Sequence, residues 1–235
     1  MTPRRREYLA EGLGTGLLLM VVVGSGAMVS GLGGSPSTAL FAHAVVVGAG
    51  IAAIIVAVGP VSGAHLNPVV TLVEWRLGGL EGREAVGYVG AQLTGAVVGV
   101  AVGNLMFGLP VVAVSPTDRL GAGTVVAEVA ATFGLVLVVF GAVRAGRASV
   151  VPFAVGAWVA AAIIATSSTG FANPAVTIAR EFTDSYTGIA PVSAFWFLFG
   201  EAVGGGFGLL AVRVLHPHHR PPAGELLVPH APEGE

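Results

Sequence analysis

The sequence predicts an all-α membrane protein: six transmembrane helices plus two re-entrant half-helices, arranged as inverted three-helix repeats around a central pore. Three observations lead there. The chain is 54% hydrophobic and only 10% charged over 235 residues, with a mean hydropathy of +0.84. Six apolar runs are each long enough to cross a bilayer, and two Asn-Pro dipeptides stand at matched places between them. Soluble domains carry about 25% charge. A chain this poor in charge cannot coat a water-facing surface, so lipid must be the solvent for much of it.

The first run, 8–29, follows Arg4-Arg5-Arg6. It is too long for the apolar core of a cleavable signal and reads as the first span. The second run covers 40–58. Behind it, 63–73 opens on Gly and polar residues and is short of the ~20 residues that cross ~30 Å of hydrocarbon. There Asn67 reads as a helix N-cap and Pro68 as the first helical residue. Runs 85–107, 124–143 and 150–166 follow. The stretch 170–179 then repeats the short pattern with Asn173 and Pro174, and 192–215 is the sixth span. A half-helix at membrane depth survives only where it is buried or lines a watery cavity. The 36 glycines fit close helix approach in lipid. These elements predict one membrane domain over 1–215, with repeat one at about 7–107 and repeat two at about 122–215. A Pro-rich, charged tail over 216–235 is expected to be disordered and cytoplasmic.

All eleven basic residues are Arg. With the N-terminus in the cytoplasm and six crossings after it, Arg4, Arg5, Arg6, Arg76, Arg83, Arg144, Arg147, Arg213 and Arg220 fall inside, and Arg119 and Arg180 outside. That bias predicts a multi-pass protein of the inner (plasma) membrane with both termini cytoplasmic. The net charge of −2 and the lack of a basic patch argue against a nucleic-acid partner. The absence of cysteine excludes disulfides, thiolate metal sites and cysteine nucleophiles. No phosphate-binding loop, catalytic carboxylate pair or triad stands out, so no enzyme activity, cofactor or metal is expected. His216, His218 and His219 carry metal-ligating side chains but read as a solvated tail.

The two halves resemble each other. Glu11-x-x-Gly14-Thr15 matches Glu128-x-x-Ala131-Thr132, the six residues from Asn67-Pro68 match those from Asn173-Pro174, and Gln92-x-x-Gly95 matches Glu201-x-x-Gly204. The shifts are 117, 106 and 109 positions in the same order, as duplication leaves them. Three spans per half is an odd number, so the halves face opposite ways and their shared site lies near the midplane. The paired Asn-Pro boxes, Ala10-Glu11 ahead of Gly14-Thr15, and Tyr88-Val89-Gly90-Ala91-Gln92-Leu93-Thr94-Gly95-Ala96 resemble the aquaporin and glycerol-facilitator family, over about residues 7–215.

Two half-helices entering from opposite faces would meet N-terminus to N-terminus. Each end presents unpaired N–H groups and about half a positive charge. The Asn67 and Asn173 carboxamides add donors that a neutral solute can accept, while a cation is repelled and a chain of waters is broken. Upstream, extended backbone at Gly63, Ala64, His65, Phe171 and Ala172 would offer carbonyl acceptors. An ionisable group in a span costs roughly 2.5–3.5 kcal/mol and must find partners. The resemblance implies that Glu11 and Glu128 hold backbone N–H groups of the re-entrant loops. Glu201 stands where the first half has Gln92 and is expected to be protonated or hydrogen-bonded between helices.

The resemblance also exposes a departure. Most of the family carries an Arg directly after the second Asn-Pro-Ala, and here that position is Val176. Counting back from the two Asn places the other filter positions at Val47, Ala161 and Gly170. Such a ring is wide and uncharged, which implies passage of uncharged solutes larger than water: glycerol-like polyols, or undissociated metalloid hydroxides such as arsenous acid. An orthodox water channel is the alternative, and a coupled secondary transporter or a non-conducting scaffold are the rivals from other classes. Homotetramers follow from the resemblance alone. Arg180 reads as a solvent-facing or interface charge, with reach into the outer vestibule as the other option. Phe171 would enter the ring after a one-residue shift. His65 reads as loop packing rather than pore-facing, and His43 as a helix-interface residue. Trp75, Trp158 and Trp196 read as interface anchors or packing residues.

Overall fold

The structure is a computed structural model and describes residues 1–217. Eight α-helices follow in order: α1 Pro3–Gly31, α2 Pro36–Ser62, α3 Pro68–Leu77, α4 Gly82–Met106, α5 Ala122–Arg144, α6 Val151–Ala165, α7 Pro174–Ala179 and α8 Pro191–Leu215. A 3-10 turn, Ala148–Val150, leads into α6, and another, Arg180–Phe182, continues α7. Six of these segments are long and apolar enough to cross a membrane, and they coincide with the six predicted runs. Proline sits in the first turn of α1, α2, α3, α6, α7 and α8. Its missing N–H costs nothing there and its fixed φ is already helical. The helix α2 runs past the expected 58 to Ser62, where Gly63 in the left-handed region stops it.

Packing follows the duplication. In each half the first and third spans pair, α1 with α4 and α5 with α8, while the second spans α2 and α6 meet across the middle. The contacts depend on missing side chains. A Cβ on Gly95 would lie 2.0 Å from the Gly12 carbonyl oxygen. Where α2 crosses α6, Gly48 and Gly156 face each other reciprocally, and a Cβ on either would come within 2.5 Å of the other's carbonyl oxygen. Small residues at crossings are how helices gain van der Waals contact in lipid, where apolar burial alone drives nothing. Leu13, Phe41, Phe153, Phe195 and Phe207 are exposed, as they should be when hydrocarbon is the surrounding solvent.

Candidate functional site

After α2 and after α6 the chain turns back into the bundle through two short irregular loops. Each is strained at two non-glycine residues, one of them directly before its Asn. Ala64 (φ 50°) and Leu66 (φ 51°) adopt left-handed backbone in the first, Thr169 (φ 64°) and Ala172 (φ 49°) in the second. Such a conformation costs roughly 1–3 kcal/mol per non-glycine residue and persists only where the surroundings over-determine it. Two buried carboxylates do so. Glu11 accepts from Ser62 Oγ (2.7 Å) and His65 N (2.9 Å) on one oxygen, and from Leu66 N and Gln92 Nε2 (both 2.7 Å) on the other. Glu128 accepts from Phe171 N (2.9 Å) and Ala172 N (2.8 Å). Glu201 adds a second clasp to the second loop: its Oε1 accepts from Asn173 N (3.1 Å) and Thr177 Oγ1 (2.5 Å). Glu201 on α8 is thus hydrogen-bonded to the half-helix α7, a bond between helices as expected. These hydrogen bonds satisfy the loop amides at membrane depth and both oxygens of Glu11 and of Glu128.

The loops deliver the two Asn to one place. Asn67 caps α3, its Oδ1 accepting from Val69 N at 2.9 Å, and Asn173 caps α7 by accepting from Ala175 N at 3.0 Å. Each then reaches across the middle. Asn67 Nδ2 donates to Ala172 O, and Asn173 Nδ2 donates to Leu66 O, both at 2.8 Å. The half-helices are thus locked N-terminus to N-terminus by a reciprocal brace. A carboxamide nitrogen has two protons, so one N–H of each Asn is left for a guest. Both Asn line a cavity of about 70 Å³, room for several waters at roughly 10–15 Å³ each. Pro68 and Pro174 stand behind them as the first residues of the half-helices.

Most of the other residues expected from sequence meet at this cavity. Val47, Gly170 and Val176 line it, as do Gly63, Ala64, His65, Phe171 and Ala172. Ala161 does not: it is exposed on the outside of α6, and Ala162 lines the cavity instead. Counting back from Asn173 crosses seven non-helical residues, 166–172, so the helical phase of 100° per residue is lost on the way. Gly170 confirms the neighbour, since a Cβ there would lie 2.8 Å from that of Ala162. The Ala172 carbonyl is engaged by Asn67 and is less open to a solute than expected.

Arg180 is the larger correction. It is 5% exposed and lines the cavity, one turn beyond Val176. Its Cζ lies 3.5 Å from the centroid of the Phe171 ring and its Nε donates to Thr187 O. The one-turn spacing from Val176 is the local signal for this placement. His43 is the helix-interface residue expected and also faces the lumen. It stands one turn before Val47 and bonds Ser25 Oγ through Nδ1 at 2.8 Å. His65 combines both readings: Nδ1 bonds Thr71 Oγ1 at 3.1 Å, the ring packs on Tyr88, and the residue lines the cavity. Trp158 lines it too, with Nε1 donating to Ala131 O at 3.0 Å, while Trp75 and Trp196 are exposed. Near Phe171, Arg119 donates to Gly188 O (2.7 Å) and Tyr186 O (2.9 Å). Its neighbour Asp118 accepts from Leu120 N and Ser193 Oγ, and these bonds hold its carboxyl below the usual carboxylate range. His216 is seen only as an acceptor, its carbonyl taking a bond from Arg144. His218 and His219, with the expected tail from 218 on, lie outside the described residues.

The comparisons with known proteins fit this geometry. The family described as Major intrinsic protein matches residues 2–212. The chain is similar to the aquaglyceroporin AqpS of Rhizobium meliloti (strain 1021), 41% identical over 216 residues that cover 92% of each chain. It is similar over a shorter stretch to a glycerol uptake facilitator protein of Pseudomonas aeruginosa, 39% identical over 90 residues, 38% of this chain and 32% of the other. Among solved structures, the aquaglyceroporin from Plasmodium falciparum superposes with a TM-score of 0.72 at 22% identity, covering 91% of this chain and 98% of that one, and shares its fold.

Proposed function

This chain belongs to the major intrinsic protein family, and from that premise we propose that it is a passive channel for water and small uncharged solutes. The observation that carries the reading is the crossed brace of Asn67 and Asn173 beside the cavity. Two opposed half-helix N-termini and two spare carboxamide N–H groups make the centre a donor-rich, positively polarised spot. A water or hydroxyl oxygen accepts there, and its protons then point away on either side, which interrupts proton hopping. A cation meets two positive dipole ends in a low-dielectric lumen and is turned back. No step changes a covalent bond, and the reading needs no cofactor or metal.

The specific cargo we propose is glycerol-like polyols and undissociated metalloid hydroxides such as arsenous acid, alongside water. This is supported by the apolar, small-residue stretch of Val47, Ala162, Gly170 and Val176 along the cavity. We assign Gly63, Ala64, His65 and Phe171 as the carbonyl track, with Glu11 and Glu128 holding it in shape. In the cell, the arginine distribution supports a plasma-membrane protein with both termini cytoplasmic, and family membership supports a homotetramer with one pore per subunit. The test is swelling of proteoliposomes under water, glycerol and arsenous acid gradients. All three should enter faster than into protein-free vesicles. Fast water flow with no solute entry would reduce the protein to an orthodox water channel.

A further inference from the structure

We propose that Arg180, laid over Phe171, is the specificity-determining residue of the outer half of the channel. It supplies, one helical turn beyond Val176, the guanidinium that Val47, Ala162, Gly170 and Val176 lack. It donates to the oxygen atoms of passing neutral solutes and turns back cations before they reach the paired Asn. The inference rests on the channel reading above and adds a second, outer barrier to it.

Four observations converge. The half-helix α7 continues into the 3-10 turn from Arg180 to Phe182, so residue 180 follows residue 176 by one turn on the same side. The guanidinium is fixed rather than swinging free: Nε donates to Thr187 O, and the plane rests on Phe171 at 3.5 Å. Phe171 is in turn held edge-on by Phe197 at 5.1 Å and through its backbone N by Glu128. The charge has no carboxylate within ion-pair distance. The single ion pair among the described residues joins Arg4 to Glu84, and Glu128 is already engaged by the loop amides. Finally, Arg119 brings a second cation to 5.7 Å from the same ring, so two guanidinium groups flank Phe171.

A guanidinium carries five N–H donors, and the structure gives Arg180 one protein acceptor among the described residues. A buried charge with unmet donors is costly unless something accepts them. It lines the cavity, so the acceptor is what fills the lumen: water, or the hydroxyl oxygen of a solute. The same charge raises the energy of a cation in a narrow, low-dielectric passage. Polar donors and an aromatic wall thus sit outside an apolar stretch, an order that orients a hydroxylated solute before it is stripped of water.

The chain has no cysteine, so Arg180→Cys introduces a single thiol. In proteoliposomes, this variant should raise potassium leak per unit of water flow by about tenfold or more over the parent. A methanethiosulfonate reagent bearing an ammonium should bring the leak back down, and one bearing a sulfonate should not. A residue that merely clamps Thr187 would not sense the sign of the added charge. An unchanged leak, or equal effects of the two reagents, would overturn the proposal. Should Arg180→Cys fail to fold, Phe171→Leu decides. Removing the ring beneath the guanidinium should raise the glycerol-to-water ratio by about threefold or more, and a ratio equal to the parent's would overturn the proposal. Parent vesicles that swell no faster than protein-free ones would instead refute the channel reading.

Discussion

Glu128 and Glu201 are both buried on the second half, yet their replacements should behave oppositely. Glu128 holds Phe171 N and Ala172 N, and Ala172 is one of the strained residues. Glu128→Ala leaves two buried amides unmet at roughly 1–3 kcal/mol each and frees the strain they restrain. The expected result is loss of more than about 3 kcal/mol, read as a lower thermal midpoint in detergent together with lost swelling activity. Glu201 occupies the place that Gln92 fills in the first half. There Gln92 Nε2 donates to Glu11 at 2.7 Å and to Thr71 at 2.9 Å. Glu201 Oε2 has no hydrogen-bond partner among the described residues. A carboxamide at 201 can keep the Oε1 bonds to Asn173 N and Thr177 and offer its nitrogen to Glu128. Glu201→Gln is therefore expected to match the parent within about 1 kcal/mol, and an unfolded variant would refute the likeness of the two clasps. At Val176 the expectation concerns flow. Val176→Arg puts a long side chain into the apolar stretch one turn from Arg180. It should slow glycerol and arsenous acid more than water, with the glycerol-to-water ratio falling about fivefold or more. Equal slowing of all three would mean that residue 176 does not set the width.

The helices show what a sequence records and what it does not. Spans were legible because hydrocarbon demands about twenty apolar residues of each. The half-helices were legible because Asn-Pro is both a cap and a first turn. The buried carboxylates were found because a charge in a span has to be used. Ala161 and Arg180 were misplaced for two different reasons. Helical phase can be counted along α6 or α7, but 166–172 is irregular chain, and whether a side chain past a half-helix turns inward depends on the loop opposite. That loop, 186–188, is held by Arg119 and Arg180 themselves, a tertiary fact with no local signature. The crossing of α2 and α6 is also tertiary, and it gives an element-scale expectation. Gly48 and Gly156 touch each other's carbonyls, so Gly48→Val forces the two helices apart. Overpacking of this kind costs about 1–3 kcal/mol or more. Because α2 and α6 carry Val47 and Ala162, the cavity should deform as well. The variant is expected to lose thermal stability and to shift its glycerol-to-water ratio together. A stability loss with the ratio unchanged would show that the crossing does not set the lumen.

On the scale of the whole molecule, the organising feature is that the two halves complete each other rather than standing side by side. Each half supplies a carboxamide that bonds the other half's loop: Asn67 to Ala172, and Asn173 to Leu66. The left-handed residues Leu66 and Ala172 are the acceptors, so the backbone strain in one repeat presents the carbonyl that the other requires. If the central barrier is built on this exchange, it belongs to neither Asn alone. Changing Asn67 to Asp replaces an N–H aimed at Ala172 O by an oxygen, so attraction becomes repulsion. It also places negative charge where two positive dipole ends had been. Both changes favour protons and cations at the centre. Proton leak per unit of water flow, followed by a pH-sensitive dye inside vesicles, should rise by about tenfold or more, the effect of some 1.4 kcal/mol at the barrier. Asn173→Asp should do the same to within a few-fold, although α7 is six residues and α3 is ten. The brace, not the length of either half-helix, is what both substitutions remove. The double variant would place two carboxylates beside each other with no donor between them, and its loss should exceed the sum of the singles because the sites share one junction. A leak from only one of the two substitutions would mean that one half carries the barrier and the other merely supports it.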